Sequence, residues 1–423
     1  MNVPTPAPGR VERRRILLSS FACSPLWGSE PGVGWQWLLQ LIRHHEVVLL
    51  THEYFRSHLE PALAQLGLTV EIHYLQAPAF GLHPHRQLNS RLYYTWWQWH
   101  LRRLAQRLLA GRRFDVIHHL TWGTLRFPCF LGGLSAPLVM GPLGGGERAP
   151  LRFFQGLPLP AKLFDVLRSL TLLGIKLDPL ATTGPRRSAL VLCKSSDSLR
   201  ALPASVQRRA IVVPEIGSPP VAETDHPRSR DPSRRGPYKL LFAGRLLGWK
   251  GVQLALGATS LLLRGGHDVQ LDVAGDGPLR GHLARRIEKG KLQGRIRLLG
   301  KLPRHELMDL YSVADLFVFP SLHDSSGNVV LESLAHGLPV VCLDLGGPQL
   351  YLDESCGVVV STSGLSRQQL EQSLADAIAR LLQSPEHLAR LSLNAKVHAR
   401  KQSWEATVER AYGHIWRQLP MSP

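Results

Sequence analysis

Two cations in the second half of the chain have the spacing of an anion-binding site. Arg245 and Lys250 lie in the segment FAGRLLGWKG (242–251), between a predicted strand and a predicted helix. Two fixed positive charges beside a helix N-terminus can bind a diphosphate. In a reaction that expels a nucleoside diphosphate, they would stabilise the charge that develops on the leaving group, in place of a metal ion. Taken alone, an arginine and a lysine in a loop are usually solvated surface charges.

Two carboxylates extend this pattern further along the chain. Asp324 and Glu332 are separated by seven residues and frame the stretch Ser321–Asn328, called the polar loop below, together with the predicted helix that follows it. On that helix Glu332 can accept hydrogen bonds from a ribose diol, while the amides of the polar loop face a phosphate or a sugar. The cations, the polar loop and the acids together favour a diphosphate site over a solvated surface.

The hydrophobic pattern shows which elements position these residues. The apolar runs Leu316–Phe319 and Val340–Leu345 flank the polar loop and its helix, which gives a strand, a loop, a helix and a strand in order. Such a unit indicates a parallel α/β sheet. Ligands of these sheets bind outside the carboxyl ends of the strands, here at the polar loop and the turn Gly346-Gly347.

A histidine pair marks the corresponding edge in the first half of the chain. The apolar strand FDVIH (114–118) ends in His118 and His119, and Thr121 and Trp122 follow. A histidine at the carboxyl end of a strand can act as a general base or bind an acceptor. One member of the pair is expected to point into the core, so His118, His119 and Thr121 all remain candidates for the acceptor side.

Glycines near the N-terminus form a weaker phosphate-binding pattern. Gly28, Gly32 and Gly34 lie in a predicted loop after the first strand, and a helix is predicted to begin near Trp35. A glycine-rich loop before a helix can bind phosphate through backbone amides. The three glycines lack the G-x-G-x-x-G spacing, however, and a tight turn explains them equally well.

Strands alternate with helices along the chain, which predicts an α/β fold of doubly wound parallel sheets. A chain of 423 residues exceeds one typical core, so two domains are expected. A stretch rich in proline, serine and charge, without periodicity, separates them. The predicted divisions are a disordered leader at 1–14, a first domain at 15–218, a linker at 219–238, a second domain at 239–400 and a terminal helix at 401–423.

Composition limits the classes of protein that fit. Hydrophobic residues make up 44% of the chain and charged residues 19%, as in a globular enzyme. No apolar run reaches the length of a transmembrane helix. The five cysteines are scattered without metal-ligand spacing, which predicts reduced thiols in a cytoplasmic protein and no bound metal.

The net charge of +18 is unevenly distributed, since residues 1–218 carry +13 and residues 219–423 carry +5. An excess of positive charge favours an anionic partner, either a nucleic acid, a phospholipid surface or a phosphorylated substrate. A high-GC genome, which raises arginine content, explains the excess equally well.

The segment 86–113 concentrates this charge, with seven arginines and no acid. An aromatic cluster lies in its middle, at Tyr93, Tyr94, Trp96, Trp97 and Trp99. The first interpretation is a long helix whose aromatic residues lie in the core and whose arginines face the solvent. The second is a basic, aromatic helix on an anionic membrane. Nucleic acid ranks below both, because no recognised nucleic-acid motif accompanies the charge.

Several of these segments resemble the family 4 glycosyltransferases, which have the GT-B architecture of two Rossmann-like domains facing across a cleft. The resemblance covers nearly all of the second half, through FAGRLLGWKG (242–251), VAGDGPLR (273–280), LLGKLPRHELMDLYSVADLFVFPS (298–321) and the acid pair with LDLGG after it. In the first half, SPLWGSEPGVGW, FDVIHHLTWG and GPLGGGE are more loosely similar to members associated with bacterial polysaccharide assembly.

The resemblance implies a role for each matching residue. Arg245 and Lys250 would bind the donor diphosphate, and Glu332 would bind the ribose hydroxyls. Gly244 would be a further donor contact. The backbone of Ser326, Gly327 and Asn328 would approach the phosphate and sugar, and the backbone near Lys301 and Leu302 would meet the nucleobase. Gly32 would let the diphosphate or the acceptor come close. The resemblance also implies transfer with retention of configuration, no metal or other cofactor, and a terminal helix that crosses back to the first domain.

Three positions depart from the family pattern. Asp324 stands where the family usually has a glutamate, whose longer side chain reaches the donor sugar. The turn Gly346-Gly347 is followed by Pro348-Gln349, where the family usually has a glutamate. The acceptor-side histidine often lies two positions beyond the first histidine after the strand, and that position is Leu120 here.

The predicted function is a retaining glycosyltransferase that uses a UDP-sugar, or a GDP-sugar as second choice, and a lipid-linked or polysaccharide acceptor. Its expected setting is bacterial exopolysaccharide or cell-surface glycan biosynthesis, in the cytoplasm or on the cytoplasmic face of the inner membrane. One alternative is a nucleotide-sugar epimerase on the same fold, which needs no acceptor. Another is a non-catalytic scaffold of a polysaccharide assembly, suggested by Asp324 and the missing glutamate. No nucleic-acid partner is expected.

Overall fold

The computed structural model describes residues 13–78, 88, 90–221 and 236–419, without the side chains at 164–165 and 168–173. Most of the predicted leader and linker lies outside these residues. Within them the chain forms two sheets, of seven and six strands, in which every neighbouring pair is parallel. The α/β fold class predicted from the alternating pattern is therefore confirmed.

The first sheet has the order β3-β2-β1-β4-β5-β6-β7. Its strands are β1 Arg15–Ser20, β2 Glu46–His52, β3 Glu71–Leu75, β4 Val116–Thr121, β5 Leu138–Leu143, β6 Leu190–Cys193 and β7 Ala210–Val212. The helices around it are α1 Glu30–His44, α2 Arg56–Gln65, α3 Arg91–Gly111, α4 Leu159–Gly174, α5 Pro179–Arg187, α6 Ser196–Ala201 and α7 Ala204–Gln207. The central strands β4 and β5 are buried at every residue, as expected of a sheet covered on both faces.

The second sheet has the order β10-β9-β8-β11-β12-β13. Its strands are β8 Tyr238–Ala243, β9 Val269–Ala274, β10 Ile296–Gly300, β11 Leu316–Phe319, β12 Val340–Leu343 and β13 Gly357–Val360. Its helices are α8 Val252–Arg264, α9 Arg280–Lys289, α10 Arg304–Val313, α11 Asn328–Ala335, α12 Arg367–Leu382 and α13 Pro385–Lys401, and α14 Trp404–Gln418 ends the chain. In both sheets the strand order reverses beside the first strand, which opens a crevice at the carboxyl edge.

The terminal helix α14 leaves the second domain and packs on α1 of the first. The ring of Tyr412 lies 5.5 Å from that of His118, and its hydroxyl is 2.8 Å from Nδ1 of the same histidine. Arg14 covers the ring of Trp416 at 4.3 Å. The predicted return of this helix to the first domain is confirmed.

Where the chain leaves the first domain and where it returns to it, residues 217–218 and 402–404 lie side by side. The backbone N–H of Ser218 donates to the carbonyl of Gln402 at 2.6 Å. A Cβ on Gly217 would lie 2.3 Å from the backbone of Trp404, so only glycine allows this approach. The end of the first domain is thereby joined to the start of α14.

Helix α1 begins at Glu30, five residues earlier than predicted. Glu30 and Pro31 open it, since a carboxylate suits the positive end of a helix and proline fits the first turn. Gly32 therefore lies in the first turn of the helix and not in a loop. A Cβ on Gly34 would lie 2.4 Å from the carbonyl oxygen of Ala22, so this glycine serves close packing against the end of β1.

The basic, aromatic segment forms α3, and most of its aromatic residues belong to the core. Tyr93, Tyr94 and Trp97 are buried, whereas Trp96 and Trp99 are each 38% exposed. The interpretation of a long helix with core aromatics thus accounts for three of the five rings. All five cysteines are buried free thiols. Among the described residues, no helix has the length and apolar character to cross a bilayer.

Candidate active site

The predicted phosphate-binding residues of the second domain lie on neighbouring loops. Strands β8 and β11 are adjacent, so the turn Gly248–Lys250 lies beside the polar loop. The backbone N–H of Leu322 donates to the carbonyl of Trp249 at 2.7 Å. Gly251 has φ of +74°, and a Cβ there would lie 1.8 Å from the carbonyl oxygen of Pro320. Only glycine fits, so the sequence GWKG fixes this turn against the end of β11.

Lys250 and Asp324 form an ion pair across these two loops. Their side chains are 22% and 16% exposed, so both remain within reach of a ligand. Arg245 is exposed at the same edge and follows Gly244, the first residue after β8. A diphosphate bound here would replace Asp324 as the ion-pair partner of Lys250. The structure thus brings together Lys250 and Asp324, two of the residues predicted from the sequence, and places Arg245 in the loop that leads to Lys250.

Glu332 lies on α11, one turn beyond the end of the polar loop. Its Oε2 is 3.5 Å from the hydroxyl of Tyr311, and its Oε1 is 3.7 Å from the guanidinium of Arg304. Burial raises the pKa of Glu332, and the charge of Arg304 opposes the shift. A half-buried carboxylate with few protein partners is suited to accept hydrogen bonds from a diol.

A cavity of about 760 Å³ opens between the two domains at this point. Glu332, Asn328 and Arg304 line it from the second domain, and Gly32 lines it from α1. Its volume lies in the range of small-molecule sites. Gly32, Asn328 and Glu332 are the predicted donor contacts that line it, whereas those at 244–250, 301–302 and 326–327 lie outside its wall. Lys301 and Leu302 fall on the turn before α10, which carries Arg304.

The glycines around the polar loop serve close packing of the chain. A Cβ on Gly347 would lie 2.0 Å from the carbonyl oxygen of Ser325, and one on Gly346 would lie 2.3 Å from that of Asp324. The turn after β12 is therefore filled by the polar loop, although the sequence suggested a ligand there. Gly327 has φ of +80° and precedes the first residue of α11. This left-handed conformation lets the chain pass from the polar loop directly into α11.

Neither histidine of the predicted acceptor pair reaches the cleft. His119 is held by Ser19 at 3.0 Å and by Tyr94 at 2.9 Å, and His118 by Tyr412 at 2.8 Å and the carbonyl of Gly141 at 2.7 Å. Burial lowers the pKa of His118 to about 4 and that of His119 to about 3. Both of these candidates for the acceptor side are thus buried, and all four of their ring nitrogens have protein partners.

A buried charged cluster, which sequence reasoning missed, lies at the carboxyl edge of the first sheet. Lys194 follows β6, and its Nζ lies 2.6 Å from Glu215 and 2.9 Å from Glu30. Lys194 is 6% exposed and Glu215 is 3% exposed. Burial raises the pKa of Glu215 to about 7, although the charge of Lys194 lowers it, and Glu30 adds to the rise.

A second buried carboxylate, Glu147, lies on the turn after β5. It accepts hydrogen bonds from Ser195 at 2.6 Å, from Ser198 at 2.8 Å and from the backbone N–H of Gly145 at 3.0 Å. Burial alone would raise its pKa, but Ser195, the nearby His323 and Ser198 bring it below the ordinary value. The available sequence signal was an acid in the turn that follows a strand, in GGGE after β5 and in PEIG after β7.

Comparison with known proteins shows what the second domain is similar to. Residues 225–398 match the family model described as "Glycosyl transferases group 1". An α-D-kanosaminyltransferase of Streptomyces kanamyceticus is 32% identical over 43% of this chain and 45% of that protein. A D-inositol 3-phosphate glycosyltransferase of Corynebacterium urealyticum is 31% identical over 43% of each. The chain thus spans somewhat less than half the length of these curated relatives.

Solved structures match over nearly the whole chain. A glycosyltransferase from Rickettsia africae has a TM-score of 0.59 at 14% identity and covers 97% of this chain and 100% of its own. Anabaena HepE, solved with UDP, has a TM-score of 0.57 at 17% identity over 96% and 99%. WaaG, a glycosyltransferase involved in lipopolysaccharide biosynthesis, has a TM-score of 0.53 at 18% identity over 95% and 99%.

The fold is therefore GT-B, as the sequence predicted. The resemblance to glycosyltransferases is also confirmed, since the second domain matches the group 1 model and the neighbouring structures are glycosyltransferases. Assignment to family 4 in particular stays a prediction.

Proposed function

We propose that the protein is a retaining, metal-independent glycosyltransferase of family 4 that takes its sugar from a nucleotide sugar. The observation that carries the proposal is the convergence of the Lys250–Asp324 pair, the polar loop and Glu332 at one edge of the second sheet, beside an interdomain cavity. This edge is where open α/β sheets bind ligands. The match of the same domain to group 1 glycosyl transferases supports it.

Each residue has a task in the transfer. Arg245 and Lys250 stabilise the negative charge on the departing diphosphate, in place of a metal ion. Glu332 accepts from the ribose hydroxyls, and the amides at the start of α11 face the phosphate or sugar. Asp324, released from Lys250 when the diphosphate binds, is the carboxylate of the polar loop and hydrogen-bonds a sugar hydroxyl.

UDP is the proposed donor nucleotide and GDP the second choice. HepE, a structural neighbour, was solved with UDP, which supports this order. The proposed acceptor is a lipid-linked or polysaccharide glycan, and the likeness to WaaG supports a role in cell-surface glycan assembly.

Glu332→Ala is expected to weaken UDP binding about tenfold, because the ribose loses a charged acceptor that the protein holds in place. Calorimetric titration with UDP and with GDP, both in EDTA, measures this on the parent and the variant. Glu306→Ala, an exposed glutamate on α10, is the control and should bind as the parent does. Equal affinity of parent and Glu332→Ala would remove the ribose assignment. Binding of neither nucleotide by the parent would contradict the transferase proposal.

We also propose that the first domain works against the cytoplasmic face of the inner membrane. Six exposed leucines, called the leucine strip, lie on or beside α3, α4 and α5, at Leu92, Leu159, Leu163, Leu167, Leu177 and Leu180. Three of them, spaced by four residues, share one face of α4. An ion pair between Arg91 and Asp178 joins the other three at the start of α3 and α5. Helix α4 lies against the turn Gly248–Lys250, so the strip begins beside the active site.

The charges around the leucine strip suit an anionic bilayer. Lys176 is exposed beside Leu177, and Arg103 covers the exposed ring of Trp99 at 3.4 Å. Apolar side chains that enter the headgroup region together with basic residues at its surface favour binding to anionic lipid. A lipid-linked acceptor would then approach the cleft along the membrane.

Leu163→Asp with Leu167→Asp is expected to weaken binding to vesicles of phosphatidylcholine with about 30% phosphatidylglycerol by about tenfold. The reason is that two apolar side chains no longer enter the headgroup region of the bilayer. Co-sedimentation at low salt measures it. The matched control is Leu393→Asp with Val397→Asp, two exposed apolar residues at the same spacing on α13. Parent-like binding by the α4 variant, or an equal loss in the control, would contradict the proposed surface.

A further inference from the structure

Two adjacent serines of the polar loop each donate a hydrogen bond to a buried carboxylate of the first domain. Ser325 Oγ lies 3.1 Å from Oε2 of Glu147, and Ser326 Oγ lies 2.8 Å from Oε2 of Glu215. The two carboxylates are 1% and 3% exposed. The loop that carries Asp324 is therefore held by side chains of the opposite domain.

The carboxylates are themselves fixed before they meet the loop. Lys194 holds Glu215 through an ion pair, and two serines with one backbone amide hold Glu147. Burying such charges contributes little net stability, because their desolvation is costly. The best supported role of a buried ion pair is to specify one alignment of the elements that pack together. A loop that shifted by one residue would place Gly327 or Asp324 opposite one of the two carboxylates, which would then lose its serine hydroxyl.

We propose that Glu147 and Glu215 are positioning residues, which set the polar loop for sugar transfer when the two domains are closed. This inference rests on the proposed function and adds the part played by the first domain. Ser326 directly precedes Gly327 and the N-terminus of α11, and Asp324 directly precedes Ser325. A shift of the two serines thus moves both the amides and the carboxylate that face the donor.

The arrangement separates donor binding from turnover. The proposed nucleotide contacts, Lys250 and Glu332, belong to the second domain alone and need no contribution from the carboxylates. The geometry of the sugar depends on closure, because the serines reach Glu147 and Glu215 only across the cleft. Loss of the hydrogen bonds from the serines to Glu147 and Glu215 should therefore lower kcat and leave the nucleotide affinity unchanged.

The first arm of the test needs no ligand. Hydrogen exchange of the segment 321–335 is compared in the full-length parent, Ser326→Ala, Ser326→Thr and Glu215→Gln. Ser326→Ala and Glu215→Gln should exchange about tenfold faster there, whereas Ser326→Thr, which keeps the hydroxyl, should resemble the parent. The control is Ser361→Ala, which loses a hydrogen bond to Asp344 inside the second domain, and it should leave 321–335 unchanged. Unchanged exchange in Ser326→Ala would overturn the proposal.

The second arm measures UDP affinity and turnover of UDP-glucose by the same proteins. Ser326→Ala should keep the UDP Kd within about twofold and lose about tenfold in kcat, with recovery in Ser326→Thr. A parent-like kcat, or an equal loss of affinity and kcat, would overturn the positioning role. A parent that binds neither UDP nor GDP would contradict the proposed function instead, and the exchange arm would still decide the contact between the domains.

Discussion

Lys250→Ala is expected to reduce sugar transfer by about 100-fold or more, the largest loss of activity among the variants considered. The lysine lies on a turn that Gly251 packs against the end of β11, so its charge is fixed before the donor arrives. Fixed charges aimed at a developing anion typically contribute about 10²–10³-fold to the rate. Single-turnover measurements with a UDP-sugar separate this effect from donor binding.

Two comparisons make the Lys250 result specific. Lys289→Ala removes an exposed lysine from α9 in the same domain and should turn over as the parent does. Asp324→Asn removes the partner of Lys250 but keeps its size, and it should lose less activity than Lys250→Ala, because the cation remains. Parent-like turnover by Lys250→Ala would exclude a role for this lysine at the leaving group.

Lys194→Ala is expected to destabilise the first domain by about 3–5 kcal/mol, because it leaves the buried carboxylate Glu215 without its cation. Lys194 is 6% exposed, and Nζ is the one positive group within 3 Å of both Glu30 and Glu215 among the described residues. Chemical unfolding monitored by tryptophan fluorescence measures the change. Lys289→Ala, at an exposed position, should stay within about 0.5 kcal/mol of the parent.

The pH dependence of the Lys194 variant follows from the pKa of Glu215. Burial, opposed by Lys194 and reinforced by Glu30, raises this pKa to about 7, above the value of about 4.3 in an unfolded chain. The folded state therefore binds the proton more tightly, so the stability from this group is present at acid pH and lost as the pH rises through 7. Without Lys194 the pKa should rise further. The deficit of the variant should thus be larger at pH 8 than at pH 5, and a deficit independent of pH would contradict this account.

The second domain was the more predictable half of the molecule. Its motif runs along one stretch of chain, with strand, loop and helix in direct succession, so local patterns placed Lys250, Asp324 and Glu332 at one edge. Gly251 and Gly327, which directly precede two helices, both have positive φ. In contrast, the packing of Gly346-Gly347 onto the polar loop could not be deduced, because it depends on contacts from the neighbouring strand.

The side-chain orientations in the first domain could not be predicted from the sequence. A histidine after a strand predicts a cleft residue, but orientation is set by partners far away in the chain. The hydroxyl of Tyr94 on α3 is hydrogen-bonded to Nε2 of His119. The hydroxyl of Tyr412 on the terminal helix is hydrogen-bonded to Nδ1 of His118. Glu147 and Glu215 were overlooked for a similar reason. Their neighbours Lys194, Ser325 and Ser326 come from other elements, and no periodicity links them.

The side-by-side course of the two connecting stretches has a mechanical consequence. Ser218 and Gln402 are hydrogen-bonded where the chain passes from one domain to the other in both directions. Two adjacent attachment points define a line, so a movement of one domain against the other is expected to be a rotation about that line. Such a motion would bring the Ser325–Ser326 edge back to the same place on Glu147 and Glu215 at every closure.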